Sequence, residues 1–129
     1  MPKIVAIDDD CLFLELLVGW LEENGFQVID AHNGQLGLQL IKEQKPDLVI
    51  CDIKMDEVDG YEVLRQVRQN PLTEKIPFIF MTAYQSNSDF LLSKDLGADD
   101  YLPKFGIFMR LINVIKARLG LVNQATVPS

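Results

Sequence analysis

Three short runs in this chain are apolar at every position: Ile4-Val5-Ala6-Ile7, Leu48-Val49-Ile50-Cys51 and Phe78-Ile79-Phe80-Met81. Successive side chains of a strand point to opposite faces, so a strand apolar throughout must be covered on both. That is the environment of a parallel sheet with helices on each side. The segments between the runs carry apolar residues at helical spacing. Phe13, Leu16, Leu17, Trp20 and Leu21 mark the first helix, which Asn24-Gly25 closes. Phe26 to Ala31 forms a strand interrupted by Gln27 and Asp30, which suits a sheet edge. Asn33-Gly34 opens a second helix with Leu36, Leu40 and Ile41 on one face, and Pro46 breaks the chain after it. Gly60, Val63, Leu64 and Val67 line the third helix, and Pro71 stops it. The fourth helix runs from about Asn87 to Leu96 and is closed by Gly97. Tyr101-Leu102 is a short fifth strand, and Phe108, Leu111, Ile112, Ile115 and Leu119 line a fifth helix ended by Gly120.

Strict β-α alternation predicts an α/β fold: a flavodoxin-like, doubly wound, five-stranded parallel sheet of order 2-1-3-4-5 with five helices on its two faces. The 129 residues fit one domain, expected over 1–120, with 121–129 a flexible tail or truncated linker. A net charge of −7 argues against a direct nucleic-acid surface. No apolar run approaches the ~18 residues of a membrane span. The start of the chain has no signal-peptide pattern, so the expected compartment is the cytoplasm. Cys11 and Cys51 match no metal or redox spacing and are expected as reduced, buried thiols.

In sheets of this kind ligands bind beyond the carboxyl ends of the strands, where the strand order reverses. Asp8-Asp9-Asp10 ends the first strand and Asp52 ends the third, so their carboxylates should converge. Such groups repel one another, and a divalent cation relieves the repulsion. Oxygen donors without His or Cys favour Mg2+. Thr82 ends the fourth strand and Lys104 follows the fifth. A hydroxyl and an ammonium beside a carboxylate-metal centre suit a bound phosphoryl group, with Asp52 as nucleophile and Mg2+, Lys104 and Thr82 stabilising charge. Asp10 and Asp59 read as helix caps.

The segments Ile7-Asp8-Asp9-Asp10, Asp52-Ile53-Lys54-Met55 with Asp59-Gly60, Met81-Thr82-Ala83, and Gly97-Ala98-Asp99-Asp100-Tyr101-Leu102 leading to Lys104 occur in this order. Over Lys3 to Leu119 the chain resembles the receiver domain of two-component response regulators. The resemblance implies that Asp52 is the phosphoacceptor, that Asp9 ligates Mg2+ directly and Asp8 through water, and that the Lys54 backbone carbonyl joins Asp52 in the metal shell. Lys104 aligns with the phosphate-binding lysine, Thr82 with the switch hydroxyl and Tyr101 with the switch aromatic. The implied donor is a histidine kinase or phosphotransfer protein, since no kinase ATP-binding pattern is present here. The implied output is an altered face of fourth helix, fifth strand and fifth helix, used for dimerisation or an output domain. A receiver catalyses its own phosphorylation and slow dephosphorylation and is consumed in each transfer, so it is not an enzyme in the usual sense.

Two positions depart from the family pattern. Asp56 stands where Pro is usual, and Phe105 stands where Pro follows the lysine, with a cis bond between them. A cis bond before a non-proline residue costs about 2.5–4 kcal/mol, so trans is expected, which leaves the reach of Lys104 open. Ile107, Phe108 and Met109, with Phe90, Leu91 and Leu92, serve either the core or an interaction patch. His32 is expected on a solvated loop away from the crevice. The alternative function is a receiver-like interaction module that works without phosphorylation. A haloacid-dehalogenase-type phosphatase needs an acid two residues after the nucleophile, where Lys54 stands. A flavodoxin needs a Ser/Thr-Gly-rich phosphate loop after the first strand, which is absent. The ten or so residues after the fifth helix suit either a stand-alone regulator or the receiver of a longer protein.

Overall fold

The computed structural model describes residues 1–83, 85–106 and 108–121. The elements are β1 (Lys3–Ile7), α1 (Cys11–Glu23), β2 (Gln27–Ala31), α2 (Gly34–Gln44), β3 (Leu48–Cys51), α3 (Gly60–Gln69), β4 (Phe78–Thr82), α4 (Asn87–Asp95), β5 (Asp100–Pro103) and α5 (Phe108–Arg118). The five strands form one parallel sheet of order β2-β1-β3-β4-β5. Residues 122–129, most of the expected tail, and Ile107 lie outside the described residues. No helix among the described residues is long and apolar enough to cross a membrane.

Alternation along the strands divides the core in two. Ile4, Ala6, Leu48, Ile50, Ile79, Met81 and Leu102 pack with α1 and α5. Val5, Ile7, Val49, Cys51, Phe78 and Phe80 pack with α2 and α3 on the other face. Strands β3 and β4 are buried at every residue, and β2 exposes Gln27 and Asp30 as an edge strand does. The half-buried Trp20 of α1 lies against Phe108 of α5, with ring centroids 4.8 Å apart.

Side-chain oxygens cap α1 to α4. Asp10 accepts from the Phe13 N–H, Asn33 from Leu36, Asp59 from Glu62 and Ser86 from Asp89. Each satisfies a donor that has no partner within its helix. The cap roles expected of Asp10 and Asp59 are therefore observed.

Three expectations are corrected. Leu14, not Leu16, completes the buried face of α1, and Leu16 is 61% exposed. A shift of one or two residues rotates a helix face by 100–200°, so a leucine-rich helix allows both readings. In α2 the sheet contact is made by Gly37, Leu38 and Ile41, with Leu36 and Leu40 at the margin. A Cβ on Gly37 would lie 2.4 Å from Ile7 Cδ1, so glycine lets α2 approach closely there. Cys11 is exposed, because it opens α1 at the rim of the sheet, whereas Cys51 is buried and both thiols are free.

At the opposite end of the sheet Arg68 joins three segments. Its Nε donates to the Gly97 carbonyl, its Nη1 to the carbonyls of Glu74 and Ile76, and its Nη2 to Asp99 Oδ2 at 3.1 Å. Asp99 Oδ2 also accepts from the Phe78 N–H. Arg68→Ala should cost about 2 kcal/mol, because several carbonyls and a carboxylate lose one shared donor. Urea denaturation checks this; a midpoint equal to wild type would show that water replaces the guanidinium at no cost.

Candidate functional site

Register places the carboxylates. Ile7 pairs with Cys51 across β1 and β3, and the Asp52 N–H donates to the Ile7 carbonyl at 2.9 Å. Asp8 and Asp52 therefore leave adjacent strands side by side. Both are buried, at 2% and 7% exposure, while Asp9 opens to solvent. One carboxylate oxygen from each of Asp8, Asp9 and Asp52 lies within 4.8 Å of the others.

Lys104 reaches this cluster. Thr82 pairs with Pro103, and the Lys104 N–H donates to the Thr82 carbonyl at 2.8 Å, which fixes where the side chain departs. Its ammonium lies 2.8 Å from Asp8 Oδ2, 3.0 Å from Asp8 Oδ1 and 3.4 Å from Asp52 Oδ2. It also lies 4.9 Å from the centre of the Phe13 ring, a cation–π contact. No cis peptide bond occurs among the described residues, so the Lys104–Phe105 bond is trans as expected. The reach of Lys104 does not depend on a proline after it, and Phe105 points out, 76% exposed.

Burial and repulsion tune the site. Burial first, then the Asp8 charge, push the Asp52 carboxyl up to about 6, against the opposing pull of Lys104 and the Ile53 N–H. Burial also raises Asp8, against hydrogen bonds from Lys104 and the Asp10 N–H. Burial alone would lower the Lys104 ammonium, but the hydrogen bond and charge of Asp8 and the charge of Asp52 outweigh it and raise it. Three carboxylates face one ammonium, an imbalance that a divalent cation corrects. The donor set is all oxygen, which fits a hard cation.

The loop from Asp52 to α3 is held by backbone contacts. The Ile53 N–H donates to Asp52 Oδ1 at 2.8 Å, and the Gly60 N–H donates to the Ile53 carbonyl at 2.7 Å. A Cβ on Gly60 would lie 2.1 Å from the Asp52 carbonyl oxygen, so α3 can start here only with glycine. Val58 also packs closely on Gly34 of α2, where a Cβ would lie 2.4 Å from the Val58 carbonyl oxygen. Glu57 has φ +63°, a left-handed conformation that costs a side-chain-bearing residue about 1 kcal/mol. Loop shape is thus set without proline at Asp56.

The remaining candidates surround this centre. Thr82 is buried at the end of β4, beside Lys104. Lys54 is exposed and lines a recess of about 370 Å³ with Asp9, Asp56, Asp59, Tyr61 and Asp89. Tyr101 is half-buried; its hydroxyl accepts from the Ser86 N–H at 3.2 Å, and its ring meets Phe90 edge-on at 5.9 Å. His32 is exposed on the loop after β2, as expected, but not away from the crevice: it borders a second recess, of about 280 Å³, with Asp9 and Asp56. The Asp8 N–H donates to the Ala31 carbonyl, so the chain leaving β2 emerges one strand from Asp9. An edge strand is only about 4.8 Å from its neighbour, a distance that sequence reading overlooked. Phe13 over the ammonium and Tyr61 at the start of α3 were also missed as site residues. Phe13 follows Asp10 in the first turn of α1, and Tyr61 follows the Asp-Gly pair; position was their only signal.

The family model for the response regulator receiver domain matches residues 4–116. The transcriptional regulatory protein CpxR of Escherichia coli K12 is 42% identical over 104 residues, 81% of this chain and 43% of CpxR. Among solved structures, a CheY-like receiver domain protein of Methanospirillum hungatei superposes with a TM-score of 0.87 at 29% identity, covering 93% of this chain and 94% of that one. The BeF3-activated N-terminal receiver domain of Klebsiella pneumoniae RstA superposes with a TM-score of 0.82 at 28% identity, covering 91% and 97%. The chain spans less than half the length of the curated relatives it matches.

Proposed function

Because this chain belongs to the response regulator receiver domain family, we propose that Asp52 accepts a phosphoryl group from a phosphohistidine on a histidine kinase or phosphotransfer protein. One observation carries the proposal: three strand-end carboxylates meet within 4.8 Å, with the Lys104 ammonium against Asp8 and Asp52. An Asp52 carboxylate oxygen attacks phosphorus, the P–N bond breaks, and the imidazole leaves with the bonding pair. Lys104 and the Thr82 hydroxyl bind the transferred oxygens, while the Ile53 N–H keeps the carboxylate oriented. Mg2+, held by Asp8, Asp9, Asp52 and the Lys54 carbonyl, would neutralise the charge of the crowded oxygens. Each transfer consumes the acceptor, so the domain acts as a switch and not as a turnover enzyme.

The acyl phosphate adds about −1.5 to −2 charges and three strong acceptors. Its demand on Thr82 and Lys104 would pull the loops after β4 and β5. Tyr101 and the α4–β5–α5 face would then shift towards a second packing with different affinity for partners. α4 suits such movement, since Ser93 is its only fully buried residue. The partner is a second copy or an output domain of the full-length protein, in the cytoplasm; CpxR is itself a transcriptional regulatory protein. The interaction-module alternative drew on the altered loop after Lys104, and Lys104 reaches Asp8 and Asp52 despite it.

Acetyl phosphate with Mg2+ should add the mass of one phosphoryl group to wild type and none to Asp52→Asn. A wild type that gains no mass favours the interaction module. The same substitution tests the electrostatics. The Asp52 carboxyl moves from 3.8 to about 6 on folding, so its ionised form is the destabilised one. Stability of the Mg2+-free domain should therefore fall as pH rises from about 4 through 6. Asp52→Asn should flatten that slope and stabilise the domain at pH 7 by on the order of 1–3 kcal/mol. Urea midpoints across this window decide it; an unchanged slope in the variant would assign it to other groups.

A further inference from the structure

At the N-terminus of α4 two hydroxyls, those of Ser86 and Tyr61, meet on the one carboxylate of Asp89. Ser86 caps the helix: its Oγ accepts from the Asp89 N–H at 3.1 Å and donates to Asp89 Oδ2 at 2.9 Å. With an acid three residues after a capping serine, the acid ordinarily closes the box by accepting from the cap's own N–H. Here the Ser86 N–H goes instead to the Tyr101 hydroxyl of β5, at 3.2 Å. The other oxygen of Asp89, Oδ1, is taken by the Tyr61 hydroxyl.

Tyr61 ties this cap to the phosphoacceptor loop. It follows Gly60, whose N–H donates to the Ile53 carbonyl and which leaves no room for a Cβ beside the Asp52 carbonyl. Its ring lies edge-on to Phe80 of β4, with centroids 5.6 Å apart. The start of α3 thus fixes the tyrosine, and the tyrosine fixes Asp89.

We infer that Tyr61 is a positioning residue that sets which acceptor the Ser86 N–H takes, Tyr101 or Asp89, and thereby how readily Tyr101 leaves α4. While Tyr61 holds Asp89, the box stays open and Tyr101 completes the cap. When Asp89 is released, its carboxylate closes the box, and Tyr101 can depart without leaving the Ser86 donor unpaired. The exchange keeps the Ser86 N–H paired in both states, and its cost is the Tyr61–Asp89 hydrogen bond that must open. The inference rests on the proposal that Tyr101 and the α4 face move when Asp52 is modified.

The two partners should act with opposite signs. Tyr61→Phe frees Asp89 and keeps the ring, so the variant should bind beryllofluoride with Mg2+ about three- to ten-fold more tightly, the range for a partly solvated hydrogen bond to a charged group. Asp89→Ala removes the alternative acceptor and leaves Tyr101 as the partner of the Ser86 N–H among the described residues, so it should bind about three-fold more weakly. In ligand-free protein, NMR should show the Ser86 amide proton moving downfield in Tyr61→Phe and its contact with the Tyr101 ring weakening. General destabilisation would move both variants in one direction and leave the Ser86 amide in place. If wild type binds beryllofluoride and Tyr61→Phe matches it in affinity and in the Ser86 resonance, the exchange is wrong and the phosphoacceptor proposal stands. If wild type binds none, both are overturned.

Discussion

Lys104→Met should lower the stability of the Mg2+-free domain at pH 7 by about 3 kcal/mol, the range for removing one partner from a buried ion pair. The size follows from what is left behind. Asp8 and Asp52 are 2% and 7% exposed, and Lys104 is the one ammonium shown against them. Methionine keeps an apolar stem of similar length and removes the ammonium, with its ion pairs and its cation–π contact to Phe13. The buried carboxylates must then stay ionised without a counter-charge or take up protons. Proton uptake should shrink the loss as pH falls below about 6, where Asp52 already titrates. Millimolar Mg2+ should recover much of the loss by supplying another cation. Urea denaturation at pH 5 and pH 7, with and without Mg2+, separates these outcomes. A loss that is equal under all four conditions would mean that Lys104 contributes by packing, and the electrostatic account of the site would fail.

Gly60→Ala should be as damaging, for a steric reason. Alanine in a helix normally gains up to about 1 kcal/mol over glycine. At Gly60 the added Cβ would stand 2.1 Å from the Asp52 carbonyl oxygen, 2.9 Å from Ile53 Cα and 2.9 Å from Phe80 Cε1. Two of these three atoms are backbone and cannot rotate away. Relief requires moving the peptide of Asp52 itself, so the clash outweighs the propensity gain and a net loss of about 3 kcal/mol is expected. Phosphoryl uptake from acetyl phosphate should slow in parallel. Gly19→Ala in α1 is the control, because its Cβ meets nothing within 4 Å and should stabilise by about 0.5–1 kcal/mol. Equal effects at the two positions would show that propensity and not close approach governs Gly60.

Much of this was readable from local pattern. Runs apolar at every position marked β1, β3 and β4, because burial on both faces leaves no other composition. Asp10 and Asp59 could be read as caps, since a cap acts on an N–H three residues away. Asp8, Asp9, Asp52, Thr82 and Lys104 fell at strand ends, and parallel register gathers strand ends by construction. What escaped depends on distances between segments far apart in sequence. The chain does not reveal that Lys104 lies over Phe13, that His32 borders the recess of Asp9, or that Tyr61 meets Asp89 across 28 residues. Leu14 and Leu16 are both leucines on one helix, and only the angle at which α1 meets the sheet selects between them. Cys11 looked like a core thiol by residue type, but its place is the first turn of a helix that starts at the rim.

Trp20 is the only tryptophan in the chain, and it rests on Phe108. Phe108 opens α5 four residues after Lys104, so one native fluorophore touches the segment that leaves the site. Emission from this indole is a label-free optical gauge of how α5 seats on α1. It views the sheet from the face opposite α2 and α3, remote from the cap of α4. A stopped-flow trace of tryptophan emission would therefore report any movement of α5 against α1, in unlabelled wild-type protein.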